Sequence, residues 1–184
     1  MNTIRLQPLR AFNRRNFLAG FVVSPIIPTL YSRSIPSLAP ALQIQRVGQA
    51  SLSLSQYRGK LIVMAFISIE CVHCQQLTTL LINMARDYSS ERVQLLECAF
   101  SPDAPQRLPG FIKQFQPSFP VGYCSPAAFL TFLQCLSKRS LFLPHLVFIN
   151  RRGRITSDYS GETAFVRDNT ADNIRTELRM LLHN

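Results

Sequence analysis

The chain has 184 residues, 47% of them hydrophobic, and a formal net charge of +10. That length suits one domain with a real core and is short for two, and the apolar share excludes a disordered chain. The charge is uneven: residues 1–41 hold five arginines and no acid, leaving 15 basic and 10 acidic residues beyond them. Those later charges are scattered rather than gathered into a basic stripe with interleaved aromatics, which argues against a nucleic-acid surface.

The first forty residues read as an address. Arg14 and Arg15 stand in Asn13-Arg-Arg-Asn-Phe-Leu18, which resembles the twin-arginine export motif. An uncharged stretch follows from Asn16 to Ser32, and the small residues of Ala39-Pro40-Ala41 suit signal-peptidase cleavage after Ala41. The expectation is a leader over 1–41 and a domain over 42–184, carried by the twin-arginine translocase to the periplasm or another extracytoplasmic space. Pro25 and Pro28 break the apolar run, which falls short of the ~20 residues that span a bilayer. Retention as an uncleaved anchor stays open. Outside the cytoplasm the five cysteines can be oxidised. An active pair, a structural pair and one free thiol is one way to divide them.

Leu42–Val47 and Ser51–Ser55 alternate in polarity around Gly48 and predict a β-hairpin, with Arg58-Gly59-Lys60 as the turn that follows. Leu61–Ile67 is continuously apolar, as in a central strand covered on both faces. From Val72 the period changes. Cys74, Leu77, Leu81, Met84 and Tyr88 recur at three or four residues, with Leu80 and Ala85 widening the stripe of an amphipathic helix. Val93–Phe100 returns to a strand. Pro102, Pro105 and Pro109 predict a loop before a short helix near Gly110–Phe115. A strand at Phe119–Tyr123, a helix at Ala127–Leu136 and a hairpin of Leu146–Ile149 with Ile155–Tyr159 come next. Thr170 is the expected N-cap of a last helix bearing Ile174, Leu178 and Leu181. This order predicts an α/β three-layer sandwich, a mixed sheet flanked by helices with a leading hairpin.

Cys71-Val72-His73-Cys74 sits where the buried strand ends and the helix begins. A thiol at a helix N-terminus faces the positive end of the helix and unpaired backbone N–H groups, which favour thiolate over thiol. Cys71 is therefore the expected attacking thiol, and Cys74, one turn in and shielded, the resolving one.

With these elements around it, the chain resembles the thioredoxin superfamily, in particular its TlpA/ResA-like extracytoplasmic branch, over most of residues 44–182. Ser51-Leu-Ser-Leu54 with Arg58-Gly-Lys60 is similar to that branch's lead-in to the first central strand. Leu143-Pro-His-Leu-Val-Phe-Ile-Asn150 with Arg152-Gly-Arg-Ile155 is similar to its proline, strand and turn. The resemblance implies a cis Leu143–Pro144 bond facing the cysteines, with Leu143 offering its backbone to an incoming chain and His145 nearby. A satisfied histidine at a strand start is the other reading of His145. The resemblance further implies thiol–disulfide exchange without a cofactor, in the branch's usual direction of reductant. The partners would be client protein thiols or disulfides and a membrane electron donor or acceptor.

The chain departs from the family in its acids. Glu70 replaces the usual Trp before the first cysteine, Ala65 stands where thioredoxin has a buried acid, and Leu77 where ResA-like proteins have a glutamate. Glu70 or His73 would have to handle the proton of the second exchange step. His73 matches the histidine between the cysteines of the periplasmic oxidase DsbA and favours a thiolate, while Glu70 opposes one. Two other functions compete. Ser68, three residues before Cys71, fits part of a peroxiredoxin motif, and a metal-binding domain could use Cys71, Cys74 and His145; a zinc site would lack a visible fourth ligand. Cys98 reads as a buried small apolar residue, and Cys124 and Cys135 flank a short helix across which a disulfide is one option.

Overall fold

The computed structural model describes residues 35–88, 91–136 and 142–183. Arg14 and Arg15 lie outside the described residues. The first element, β1 (Ser37–Leu38), falls within the segment read as a leader. The hairpin follows as β2 (Gln43–Arg46) and β3 (Gln49–Ser53), turning at Gly48 with φ of 64°. Ser53 and Gln56 then cap a 3-10 turn, Leu54–Tyr57, reciprocally. Leu61–Ile67 is β4 and Val72–Met84 is α1, both starting where the hydrophobic pattern changes.

Beyond them come β5 (Val93–Ala99), α2 (Ala104–Phe115), β6 (Val121–Tyr123) and α3 (Pro126–Leu133). The chain ends with β7 (His145–Ile149), β8 (Arg154–Tyr159), a short α4 (Ala164–Arg167) and α5 (Thr170–His183). Helix α2 is longer than its prolines predict. Pro105 lies in the first turn, where a missing N–H costs nothing, and the buried stripe of Ala104, Leu108 and Phe111 carries the helix through Pro109. Thr170 is the first residue of α5 rather than its cap. Asn169, at φ of 52°, precedes it and accepts the N–H groups of Asp172 and Asn173.

The eight strands run in the order β1-β8-β7-β4-β5-β6-β2-β3. Strands β4, β5 and β6 are parallel, and β7 lies antiparallel on the other side of β4. Alternation along each strand divides the core into two layers. Val63, Ala65 and Ile67 face Leu77 and Leu81 of α1, Leu108 of α2 and Leu178 of α5. Met64 and Phe66 face the opposite layer with Phe129 and Phe132 of α3 and Ile44 of β2. The ring of Phe66 meets those of Phe129 and Phe132 edge-on at 4.8 and 5.1 Å between centroids.

At one edge, β1 pairs with β8, Ser37 opposite Ile155, and the Ser37 hydroxyl donates to the Cys135 carbonyl at 3.3 Å. Cleavage after Ala41, which is exposed between β1 and β2, would remove that strand. Among the described residues, no helix is long and apolar enough to cross a membrane.

At the other edge, β2 crosses β6 over Gly122, where an added Cβ would collide with the Gln45 carbonyl and the Ile44 side chain. Gly122→Ala should therefore lower the stability of the chain by about 1–3 kcal/mol, the usual range for overpacking. Denaturant unfolding of both proteins measures this, and an unchanged midpoint would contradict the close approach.

Candidate redox site

Strand β4 delivers the chain to the surface, and Ser68-Ile69-Glu70 turns it into α1. Two bonds fix the turn: the Cys71 N–H donates to the Ser68 carbonyl at 3.1 Å, and Gln75 Nε2 to the Ile69 carbonyl at 2.8 Å. Cys71 is the N-cap of α1, and its sulfur accepts the Cys74 N–H at 3.4 Å. Cys71 is half-buried and Cys74 fully buried. The two thiols therefore differ in access. Burial pushes the Cys74 thiol well above its ordinary proton affinity, helped by the hydrogen bond to Cys71; the Ser68 backbone opposes this, and the charges of Cys71 and then Glu97 add smaller increases.

Glu97 is the residue that sequence reading missed. It stands on β5 with its Cα opposite Ala65, the position where an acid was sought along β4, and it is fully buried. The acid is thus supplied from the neighbouring strand, on the face that holds Cys74. Its signal in the sequence is a lone charge inside the apolar run Val93–Phe100. Burial pushes its carboxyl up to about 8, against a smaller lowering by Thr78.

Thr78 Oγ1 donates to Glu97 Oε1 at 2.8 Å and also lies 3.0 Å from the Cys74 carbonyl oxygen. One hydroxyl proton serves one acceptor at a time. Ionised Glu97 takes it, whereas neutral Glu97 can give its own O–H to Thr78 and free the hydroxyl for the Cys74 carbonyl. Glu97 Oε2 has no hydrogen-bond partner among the described residues.

The remaining site candidates divide. The Leu143–Pro144 bond is cis. Pro144 shares a groove of about 470 Å³ with His73, Gln76, Leu80 and Arg167, so the structure brings the proline beside the start of α1. The Leu143 carbonyl packs against Gly161, which has no room for a Cβ there. His73 is exposed, with Nδ1 3.3 Å from Gln76 Oε1. Val72, 63% exposed, is an apolar side chain beside it at the start of α1. Glu70 is exposed too and turns to Arg107 of α2, which also holds Asp103 at 3.2 Å. Its charge is matched by a guanidinium instead of bearing on Cys71 alone.

His145 does not join the cysteines. Its register partner Phe66 belongs to the opposite layer of the core, and its Nε2 lies 3.2 Å from Asp158 Oδ1 in a fully buried pair. A side chain one residue past Pro144 takes the far face because strand side chains alternate. The set of Cys71, Cys74 and His145 is therefore not assembled, and no cluster of three metal-ligating side chains occurs among the described residues. Cys124 and Cys135 are not bonded to each other; the thiol of Cys124 meets that of Cys98 instead.

No protein-family model matches the chain, and no curated protein matches it. Solved structures do. A thiol:disulfide interchange protein from Bacteroides sp. superposes with a TM-score of 0.66 at 15% identity, covering 83% of this chain and 93% of that one. The thioredoxin domain of a thiol-disulfide oxidoreductase from Bacteroides vulgatus gives 0.64 at 16% identity, covering 81% and 99%. A thiol-disulfide isomerase from Corynebacterium glutamicum gives 0.63 at 22% identity, covering 79% and 97%. At such identities the likeness concerns the fold: the chain has a thioredoxin-like fold, with Cys71 and Cys74 at the strand-to-helix junction of its sheet.

Proposed function

We propose that this chain is an exported thiol–disulfide oxidoreductase that reduces protein disulfides through Cys71 and Cys74. The observation that carries the reading is the unequal placement of the two sulfurs at the start of α1. Cys71 is reachable and receives a backbone N–H, while Cys74 is sealed beneath it beside Glu97.

The chemistry follows from that placement. The Cys71 thiolate attacks one sulfur of a client disulfide, the client's other sulfur leaves as a thiolate, and a mixed disulfide remains. Cys74 then gives up its proton and attacks the Cys71 sulfur, which releases the second client thiol and closes Cys71–Cys74. The ionised form of Glu97, a minority below about pH 8, is the base beside Cys74 that can take that proton, with Thr78 adjusting to its change of charge. The same proton affinity supports the direction. In the reverse reaction a client thiolate attacking Cys71 would have to expel Cys74, and a thiol that holds its proton so firmly is a poor leaving group.

The groove that Pro144 shares with His73 is where a client segment would lie. The arginine pair Arg14–Arg15 supports export by the twin-arginine translocase. A membrane-held electron donor would return Cys71–Cys74 to the dithiol.

Cys71→Ser should abolish reduction of a protein disulfide, and Cys74→Ser should accumulate a mixed disulfide on Cys71, seen as a slower band on non-reducing gels. Absence of any trapped species from Cys74→Ser would refute the assignment of roles.

Glu97 also links folding to pH. Its carboxyl holds a proton up to about 8 in the folded chain, against 4.5 for an ordinary glutamate. Between those values the folded state holds the extra proton, so stability falls as pH rises through the window. Glu97→Gln should remove a loss of a few kcal/mol between pH 5 and pH 8. Urea unfolding at both pH values tests this, and parallel pH slopes for variant and parent would contradict it.

A further inference from the structure

We propose that Cys98 and Cys124 form a second redox couple, on the face of the sheet opposite Cys71 and Cys74, which closes to a disulfide when a small disulfide such as oxidised glutathione oxidises it. Cys98 lies on β5 and Cys124 directly follows β6, its N–H donating to the Ala99 carbonyl at 2.9 Å. Cys98 is opposite Gly122 in the parallel register, so its side chain and that of Cys124 two residues on share one face. Gly122 places no side chain there. Both thiols lie in the layer formed by Phe66, Phe129 and Phe132, each bearing on the other's proton affinity, and the Cys98 thiol also reaches the Ala99 carbonyl at 3.7 Å.

Their environments differ as the environments of an attacking and a resolving thiol do. Cys98 is completely enclosed, and burial raises its thiol well above the ordinary value. Cys124 stands just before α3, and the Cys98 thiol beside it lowers its proton affinity against the opposing effect of burial. It also lines a surface groove of about 620 Å³ with Gln45, Ser101, Pro102, Pro105 and Ala128. An oxidant arriving by this groove meets Cys124 first.

The reaction balances with one disulfide as oxidant. The Cys124 thiolate attacks a glutathione sulfur and expels the first glutathione thiolate. Cys98, losing its proton, attacks the Cys124 sulfur and expels the second. Two cysteine thiols are oxidised, one disulfide bond is exchanged for another, and the two protons end on glutathione. Closure brings the two sulfurs to a bond of about 2.05 Å, by movement of a β5 side chain and of the short link before α3.

The test uses the full chain carrying Cys71→Ser and Cys74→Ser, so that it does not depend on the redox role proposed for that pair. After equilibration with excess oxidised glutathione, the chain is denatured, its remaining thiols are alkylated, and the digest is read by mass spectrometry. The expected result is loss of two thiols per chain, a peptide pair linked through Cys98 and Cys124, and alkylated Cys135. The wild-type chain should yield the same linked pair, which guards against a folding defect in the double variant. With Cys98→Ala added, a lasting glutathione adduct on Cys124 is expected. Free Cys98 and Cys124 after oxidation, or linkage of Cys124 to Cys135, would overturn the proposal.

Discussion

The proposed chemistry depends on a carboxyl group enclosed in an apolar layer beneath a thiol. Glu97 has no exposed surface and one hydrogen bond, from Thr78, and it responds by holding a proton to about 8. A neutral acid in that position is tolerable; a charged one is costly, because water cannot reach it. Cys74, on the buried face of α1 above it, is under the same constraint. Negative charge on either group raises the proton affinity of the other, so the two are hard to ionise together. The cysteine pair therefore divides by protonation as well as by access, with the proton of Cys74 resting in a layer shared with a single carboxylate.

The strand period decides which groups can take part. Glu97 and Cys98 are consecutive on β5, and alternation sends Glu97 beneath Cys74 and Cys98 into the phenylalanine layer on the other face. The same rule separates Pro144, which lines the groove beside His73, from His145, which is turned away to Asp158. One residue of register would exchange these partners. The central strands β4, β5 and β7 are buried along their whole length, and their register is correspondingly well fixed.

Much of the scaffold was legible in the sequence. An uninterrupted apolar run of this length fits a strand covered on both faces, and a change of period after it marks a helix start, which located β4, α1 and the cysteines at the head of the helix. The strand-and-turn segment after Pro144 was legible for similar reasons. Helix α2 was obscured because three prolines outweigh a buried stripe when neighbours are unknown. Strand β1 was obscured because two residues carry no period, and its edge on β8 exists only in three dimensions. Glu97 was overlooked because the acid was sought along β4, whereas side chains on adjacent parallel strands reach the same place. The meeting of Cys98 with Cys124 depends on the β5–β6 register, which spacing between cysteines does not report.

The most direct test of this account is a carbon-13 NMR titration of the Glu97 side-chain carboxyl in glutamate-labelled protein, with Glu97→Gln used to assign the signal. The account predicts a midpoint near 8 in the reduced protein. A midpoint near the ordinary value of 4.5 would show a carboxyl already charged at neutral pH, and would contradict the claim that burial keeps Glu97 protonated beside Cys74.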